Sequence, residues 1–287
     1  MKLAGAVSEA SGRINEDGFG YIGDPDNVTA AWIFDGVTGI NGRNYLGAES
    51  DAQWLVSKAH DHLLRLAGQQ IELPDLLSEL VCGLIADWDA VSVGLDLPPN
   101  YDPPAACLIL VKCYGTEWRA LRLGDSCLLA REPDRNHRIF AASPNNIFDH
   151  WLSGEARKRR DSGVLDIKAL LAEFRPQLLE ARAKRNQPDG YSILECSRAS
   201  LLMPEYIGLA QPAEILLCTD GYYRAVDHYL LHDDASLLDA SLAGVERVLA
   251  AIRAAEASDP ACERFLRFKP ADDATALMLT HAMEDQS

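Results

Sequence analysis

Acidic residues stand at the ends of short apolar segments in four parts of this sequence. The segments are "GRINEDGFGY", "AAWIFDGVTGI", "AEILLCTDGYY" and "KPADDATALML". Their acidic residues are Glu16, Asp17, Asp35, Asp220, Asp272 and Asp273. An ionised carboxylate at the edge of an apolar core is costly unless a cation or hydrogen-bond donors compensate its charge. These residues are therefore the first candidates for a chemical role.

Basic side chains are scarce beside these carboxylates, and Arg13 is the one that accompanies the motifs. Carboxylates that converge without basic partners repel one another, so a divalent cation is their natural neutraliser. An all-oxygen ligand set suits Mg²⁺ or Mn²⁺. Gly36 fits this interpretation, because a residue without a Cβ lets its carbonyl oxygen approach a metal closely. The motifs thus predict a site for hard divalent cations.

Apolar periodicity predicts strands and helices in clusters around these motifs. The expected strands include "GAVSEA", "GFGYIG", "VTAAWIF", "YSILECS", "EILLCTDG" and "TALMLT". A hairpin is expected to turn at Gly115 and Thr116, with a second turn at Gly124 and Asp125. Expected helices cover residues 44–67, 74–93, about 165–183 and about 236–257. Runs of strands separated by helix pairs favour an α+β fold over an alternating βαβ layout.

Composition narrows the class of protein and of partner. The 287 residues carry 43 acidic and 27 basic side chains, a formal net charge of −16, which repels a phosphate backbone and makes nucleic acid an unfavourable partner. We find no apolar stretch long enough to span a membrane, and the opening "MKLAGAVSEASGR" has too short an apolar run for a secretory signal. We therefore expect a cytoplasmic protein. The seven cysteines contain no C-x-x-C pair, which argues against a disulfide framework and a zinc site.

Five acidic motifs follow one another along the chain: "NEDGFG", "FDGVTG", "LGDS", "CTDG" and "DDAT". Each is weak alone, since Asp-Gly is a common turn pair. In this order they resemble the type 2C protein phosphatases, the metal-dependent Ser/Thr phosphatase family, and most closely its bacterial branch. The matching positions are Asp17, Asp35, Asp125, Asp220 and Asp272.

The resemblance implies one catalytic domain over residues 1–287, with a central β-sandwich of two antiparallel sheets flanked by pairs of helices. It implies hydrolysis of phosphoserine and phosphothreonine in proteins, in opposition to a Ser/Thr kinase. Two divalent cations, Mn²⁺ or Mg²⁺, would hold a bridging water and lower its pKa for attack on phosphorus. The resemblance also places a variable flap at about 131–190, whose basic residues could receive an acidic phosphoprotein or simply face solvent.

Individual roles follow from the same resemblance. The implied metal ligands are Asp17, Asp35, the Gly36 carbonyl, Asp220 and Asp272, of which Asp35, Asp220 and Asp272 are the catalytic carboxylates. Glu16 and Asp273 would lie beside the ligands, with Glu16 and Asp17 acting partly through waters. Asp125 would hold a third ion, although Gly-Asp-Ser suits a turn equally well.

The chain departs from the family pattern in two places. Many members carry a histidine directly after the Asp-Gly pair, whereas this chain has Val37, Thr38 and Gly39, so the acid that protonates the leaving group is unassigned. Arg13 lies one position closer to the first motif than the usual phosphate-binding arginine. Its planar fork suits a phosphate, but a solvated surface arginine is an equal alternative.

Two other interpretations stay open at this level. "GDPDNV" contains the D-x-D-x-[TV] pattern of phosphatases that use an aspartyl-phosphate, with Asp24 as the nucleophile. That pattern should follow a long buried strand, so a loop is the favoured reading there. The second alternative is a phosphoprotein-binding module that keeps the fold with weak turnover.

Overall fold

Two antiparallel sheets pack face to face in this protein. The structure is a computed structural model and describes residues 1–132, 137–140, 151, 154–155, 157–159, 172–265, 267 and 269–281. Its strands are β1 (Lys2–Glu9), β2 (Gly18–Asp24), β3 (Asn27–Val37), β4 (Ala105–Tyr114), β5 (Glu117–Leu123), β6 (Cys127–Arg131), β7 (His137–Phe140), β8 (Leu194–Glu195), β9 (Glu205–Leu209), β10 (Glu214–Cys218) and β11 (Ala274–Thr280). One sheet has the order β1-β11-β10-β6-β7, and the other has β2-β3-β4-β5-β9, with β8 beside β4. The predicted β-sandwich is confirmed.

Helices cover the outer faces of the two sheets. The described helices include α1 (Asp51–Leu66), α2 (Leu73–Ser92), α3 (Arg175–Ala183), α4 (Asp220–Asp227) and α5 (Asp234–Ala257), with a 3-10 turn at Arg198–Leu201. Helix α1 begins at Asp51 rather than at the predicted residue 44, because the Ser50 hydroxyl accepts a hydrogen bond from the Gln53 amide at 3.0 Å and caps the first turn.

Successive side chains along a strand point to opposite faces of its sheet. This alternation divides the hydrophobic core into three layers. On β3, Trp32 and Phe34 pack with α1 and α2, while Ile33 faces the space between the sheets. On β10, Leu216 packs with α4 and α5, while Leu217 faces the inter-sheet layer. Both faces of these strands are therefore buried, which explains why they read as nearly continuous apolar runs.

The predicted turn at Gly124 and Asp125 is present, and it carries the chain from β5 in one sheet to β6 in the other. Within residues 131–190, β7 pairs with β6 and extends the first sheet. The predicted helix at 165–183 is described only as α3, and residues 160–171 lie outside the described residues.

Strand register brings the acidic motifs to one end of the sandwich. Gly18 pairs with Phe34, so Asp17 and Asp35 lie at the same end of the β2–β3 pair. In the other sheet, Cys218 at the end of β10 pairs with Cys127 and Ala276, so the segments holding Asp125, Asp220 and Asp272 meet there. We infer that the sandwich acts as a rigid frame for residues on loops and strand ends.

Candidate active site

A cleft of about 1410 Å³ opens at this end of the sandwich. Every acidic residue of the five motifs that is named above lines it: Glu16, Asp17, Asp35, Asp125, Asp220, Asp272 and Asp273. Gly36 and Arg13 also line it. These residues, which are far apart in the sequence, therefore line one cleft.

Asp17, which is buried, and Asp35, which is half-buried, form the floor of the cleft. Burial raises the pKa of the Asp35 carboxyl well above its ordinary value, and repulsion from Asp220 and then Asp17 raises it further. Burial likewise raises the pKa of Asp17, although the Thr219 hydroxyl donates a hydrogen bond to its carboxylate at 2.9 Å. Within the described part of the chain, Asp35 has no hydrogen-bond donor or basic partner. Cations at this floor would relieve the cost of both charges.

Asp125 sits beside the same floor, in the turn that connects the two sheets. Burial raises the pKa of its carboxyl, with Asp220 as the next cause. The Cys107 thiol donates a hydrogen bond to Asp125 Oδ1 at 3.1 Å. Ligand atoms of Asp35, Cys107 and Asp125 all lie within 4.8 Å of one another. The sequence did not single out Cys107, because it lies inside β4 and looks like one more small core residue.

Asp272 corrects the expectation that no fixed basic side chain accompanies the acidic motifs except Arg13. Arg224 Nη2 lies 2.7 Å from Asp272 Oδ2, and Lys269 Nζ lies 2.8 Å from Oδ1. Burial tends to raise the pKa of Asp272, but these two cations outweigh it and lower the pKa. Arg224 also lies 3.7 Å from Asp220, whose side chain is 47% exposed to the cleft. Asp272 is thus neutralised by the protein itself, unlike Asp35.

The sequence missed Arg224 because it missed helix α4. A helix that begins at Asp220 brings the residue four positions later to the same face, so an Asp220–Arg224 pair follows once the helix is known. Lys269 lies three residues before Asp272 in a segment without regular structure. The spacing of three residues indicates that Lys269 lies near Asp272, but it does not indicate where the Lys269 side chain points.

Glu16 and Asp273 hold the loop that carries Arg13. Asp273 accepts hydrogen bonds from the Ser11 amide at 2.7 Å and from the Glu16 amide at 2.8 Å. The Thr38 hydroxyl donates to the Glu16 carboxylate at 2.5 Å. A Cβ added to Gly36 would lie 2.4 Å from the Glu16 carbonyl oxygen, so the close approach of these two strands requires glycine.

Arg13 itself extends over the rim of the cleft. Its side chain is 81% exposed, and Glu49 is 3.6 Å away. An ion pair this exposed contributes little to stability, so the guanidinium is free to meet a ligand entering the cleft.

Helix α3 covers the segment that follows Asp35. Arg182 donates to the Thr38 carbonyl oxygen at 2.8 Å and pairs with Asp102. Arg185 pairs with Asp102 at 3.0 Å. These two arginines belong to the 131–190 region, whose basic residues could receive an acidic phosphoprotein by the sequence analysis, and they fix the loop beside the cleft.

A run of four basic residues, 157–160, precedes α3 in the sequence, and two of them form ion pairs. Lys158 pairs with Glu155 at 2.5 Å, and Arg159 pairs with Glu173 at 2.7 Å. Arg157 lines the cleft. Arg160 lies outside the described residues.

Asp24, the rival nucleophile, lies at the other end of β2. The strand has seven residues, which places Asp24 ~20 Å from the acidic cluster at the usual rise per residue. Asp24 is exposed in the turn to β3, and the neighbouring Asp26 pairs with Lys2 at 3.3 Å. The expected loop is confirmed there.

Sequence comparison decides the family. A family model described as "Protein phosphatase 2C" matches residues 4–256, most of the chain. The chain belongs to the protein phosphatase 2C family. As a member of this family it is a metal-dependent hydrolase that removes phosphate from serine and threonine in phosphoproteins. No curated protein matches the sequence significantly.

Solved structures share the fold of this protein phosphatase 2C member. The serine/threonine phosphatase PstP/Ppp of Mycobacterium tuberculosis superposes with a TM-score of 0.54 at 17% identity, covering 96% of each chain. Stp1 from Staphylococcus aureus gives a TM-score of 0.51 at 12% identity, covering 98% of this chain and 97% of that one. The catalytic domain of PstP, in complex with two manganese ions, gives 0.50 at 15% identity, covering 96% and 95%. In the described part of the chain, no helix is long and apolar enough to cross a membrane.

Proposed function

We propose that the acidic cleft holds two divalent cations, Mn²⁺ or Mg²⁺, and that the reaction takes place there. The observation that carries the proposal is the meeting of five acidic motifs, from widely separated parts of the chain, in one cleft. The residues fit such ions: the donors are hard carboxylate oxygens, and burial without a basic partner raises the pKa of Asp35. When bound, the ions supply an activated water and neutralise charge on the phosphoryl oxygens.

The side chains divide the work. Asp35, which lies at the centre of the cluster, would hold the ions together with Asp17, Asp220, Asp272 and the Gly36 carbonyl. The Thr219 hydroxyl orients Asp17 through its hydrogen bond. Asp273 and Glu16 fix the loop that carries Arg13. The Arg13 guanidinium then binds the incoming phosphate through two parallel hydrogen bonds. Asp125 would hold a third ion.

We also propose a substrate and a cellular setting. A phosphoserine or phosphothreonine segment of a protein enters past Arg13, and the enzyme acts against a Ser/Thr kinase in the cytoplasm. The acidic net charge of −16 disfavours nucleic acid, and we propose no membrane partner. We also propose that residues 1–287 form one catalytic domain, with the region near 131–190 acting as a flap beside the cleft.

Hydrolysis of a phosphothreonine peptide with and without Mn²⁺ tests this function. We expect turnover with added Mn²⁺, loss of turnover in excess chelator, and recovery when Mn²⁺ is restored, because no side chain serves as the nucleophile. Undiminished turnover in excess chelator would refute the metal-dependent reaction. Binding of the peptide without turnover at any Mn²⁺ concentration would favour the phosphoprotein-binding alternative. That alternative is worth testing because Arg224 already neutralises Asp272, one of the proposed metal ligands.

The position of Asp24 allows a test of mechanism. Asp24→Asn and Asp26→Asn should each keep turnover within about threefold of wild type, since exposed side chains far from the site have small effects. Steady-state rates with the phosphothreonine peptide measure this, and acid-quenched wild-type protein should carry no covalent phosphate. An inactive Asp24→Asn variant together with labelled wild type would establish an aspartyl-phosphate enzyme instead.

A further inference from the structure

The thiol of Cys107 lies inside the candidate metal centre. Cys107 is 3% exposed on β4, directly opposite Asp35 in the β3–β4 register. Its Sγ lies 3.1 Å from Asp125 Oδ1, and the nearest carboxylate oxygen of Asp35 completes a group within 4.8 Å. The group therefore offers one sulfur and two oxygen ligands around a common point.

The backbone is arranged to admit this sulfur. Gly124 has φ +89°, and a Cβ at this position would lie 2.3 Å from Cys107 Sγ. Any larger residue would push the thiol away from Asp125 or strain the turn. The position before Asp125 thus has to be glycine for the thiol and the carboxylate to remain in contact.

The unbalanced charge of Asp35 points to a cation at this place. Within the described residues Asp35 has neither a donor nor a basic partner, and Asp125 receives its side-chain hydrogen bond from the thiol. By contrast, Asp272 has Arg224 and Lys269 on its two oxygens. The carboxylate charge that still needs a cation therefore lies on the side of the cleft that contains the Cys107 sulfur.

We propose that Cys107 is a metal ligand, so that Asp35, Cys107 and Asp125 form a mixed sulfur and oxygen site for thiophilic divalent cations such as Zn²⁺ and Co²⁺. On binding, the S–H bond breaks, the proton passes to solvent, and the sulfur electron pair forms the bond to the metal. Thiolate favours these ions over Mg²⁺ and Mn²⁺, which prefer oxygen. Zn²⁺ would then compete with the hard ions that support turnover and would act as an inhibitor.

The inference uses the cleft of the proposed function, but its test does not depend on turnover. The probe is Co²⁺, whose bond to a thiolate gives a charge-transfer absorption band in the near ultraviolet, which carboxylate ligands do not give. The titration uses the full chain with its less buried thiols Cys82, Cys113 and Cys196 replaced by serine. We expect the band in this background and its loss in Cys107→Ser, where the hydroxyl can still donate to Asp125.

Competition measurements supply the second readout. Zn²⁺ should bind Cys107→Ser at least ~10-fold more weakly than it binds the protein that keeps Cys107. Loss of a metal ligand should lower metal affinity at least as much as loss of a hydrogen bond to a ligand does. Mn²⁺ affinity should stay within about threefold, since a hard ion gains little from sulfur.

A restored cysteine at position 113 is the matched control. Cys113 lies on the same strand, an even number of residues from Cys107, and its thiol donates to the Gly115 carbonyl at the other end of β4. Cys107→Ser with Cys113 restored should lack the band. A band that persists without Cys107, or unchanged Zn²⁺ affinity in Cys107→Ser, would overturn the inference. Absent turnover with the band present would refute the proposed function alone.

Discussion

Replacing Asp35 with asparagine is expected to lower kcat for a phosphothreonine peptide by roughly 100-fold or more at saturating Mn²⁺, because charge stabilisation at the reacting centre is the largest single contribution. Burial raises the pKa of Asp35, and four other acidic residues raise it further: Asp220, Asp17, Asp125 and Asp272. Asparagine keeps the shape and removes the charge. Steady-state kinetics over a range of Mn²⁺ concentrations measure the change.

Asp35→Asn should also change the stability of the metal-free protein. Whereas the substitution lowers turnover, we expect it to raise the free energy of unfolding. The pKa of Asp35 is raised from an ordinary value of 3.8, so the folded protein holds a proton that the unfolded chain releases first. The free energy of unfolding therefore falls as pH rises from about 4 through the raised pKa. Metal-free Asp35→Asn should be more stable than metal-free wild type above that range, and the difference should grow with pH until Asp35 is fully ionised.

Asp24→Asn serves as the control for Asp35→Asn, because Asp24 is an exposed carboxylate on the neighbouring strand. Thermal unfolding in chelator and circular dichroism compare the three proteins. Wild-type turnover in Asp35→Asn at saturating metal would remove Asp35 from the ligand set. Equal metal-free stability of wild type and Asp35→Asn at every pH would contradict the charge cost assigned to it.

Asp220→Asn is expected to reduce kcat by a similar factor, roughly 100-fold, since its carboxylate also neutralises charge at the reacting centre. Asp220 begins α4 directly after β10, and its half-exposed side chain faces the cleft. Arg224 at 3.7 Å is too distant for a good hydrogen bond, so Asp220 keeps oxygens available for a cation. Calorimetric titration with Mn²⁺ should show weaker binding in the variant.

Asp239→Asn is a suitable control for Asp220→Asn. Asp239 lies on α5, outside the cleft, and pairs with Arg131 at 2.6 Å. Its loss should leave turnover within about threefold and Mn²⁺ binding unchanged, as for other exposed ion pairs. Unchanged Mn²⁺ binding in Asp220→Asn would remove this residue from the proposed set of ligands.

The sequence by itself determined where the carboxylates lie along the chain and which strands they adjoin. Asp35 follows a buried run and Gly115 sits in a tight turn, and both features depend on neighbouring residues alone. The order of the five motifs was enough to indicate the family, because each motif is a short local pattern. Helix ends were less certain: the Ser50 cap was not recognised among the polar residues before α1.

Only the tertiary structure decided which other side chains join the cluster. Arg224 and Asp272 are 48 residues apart, and Cys107 on β4 is 18 residues from Asp125, which lies in the turn that passes from one sheet to the other. These contacts depend on strand register and on a helix direction that no local pattern encodes. A one-residue shift in register would turn Cys107 to the opposite face of β4. The protein therefore neutralises Asp272 with its own cations, while Asp35 has no such partner among the described residues.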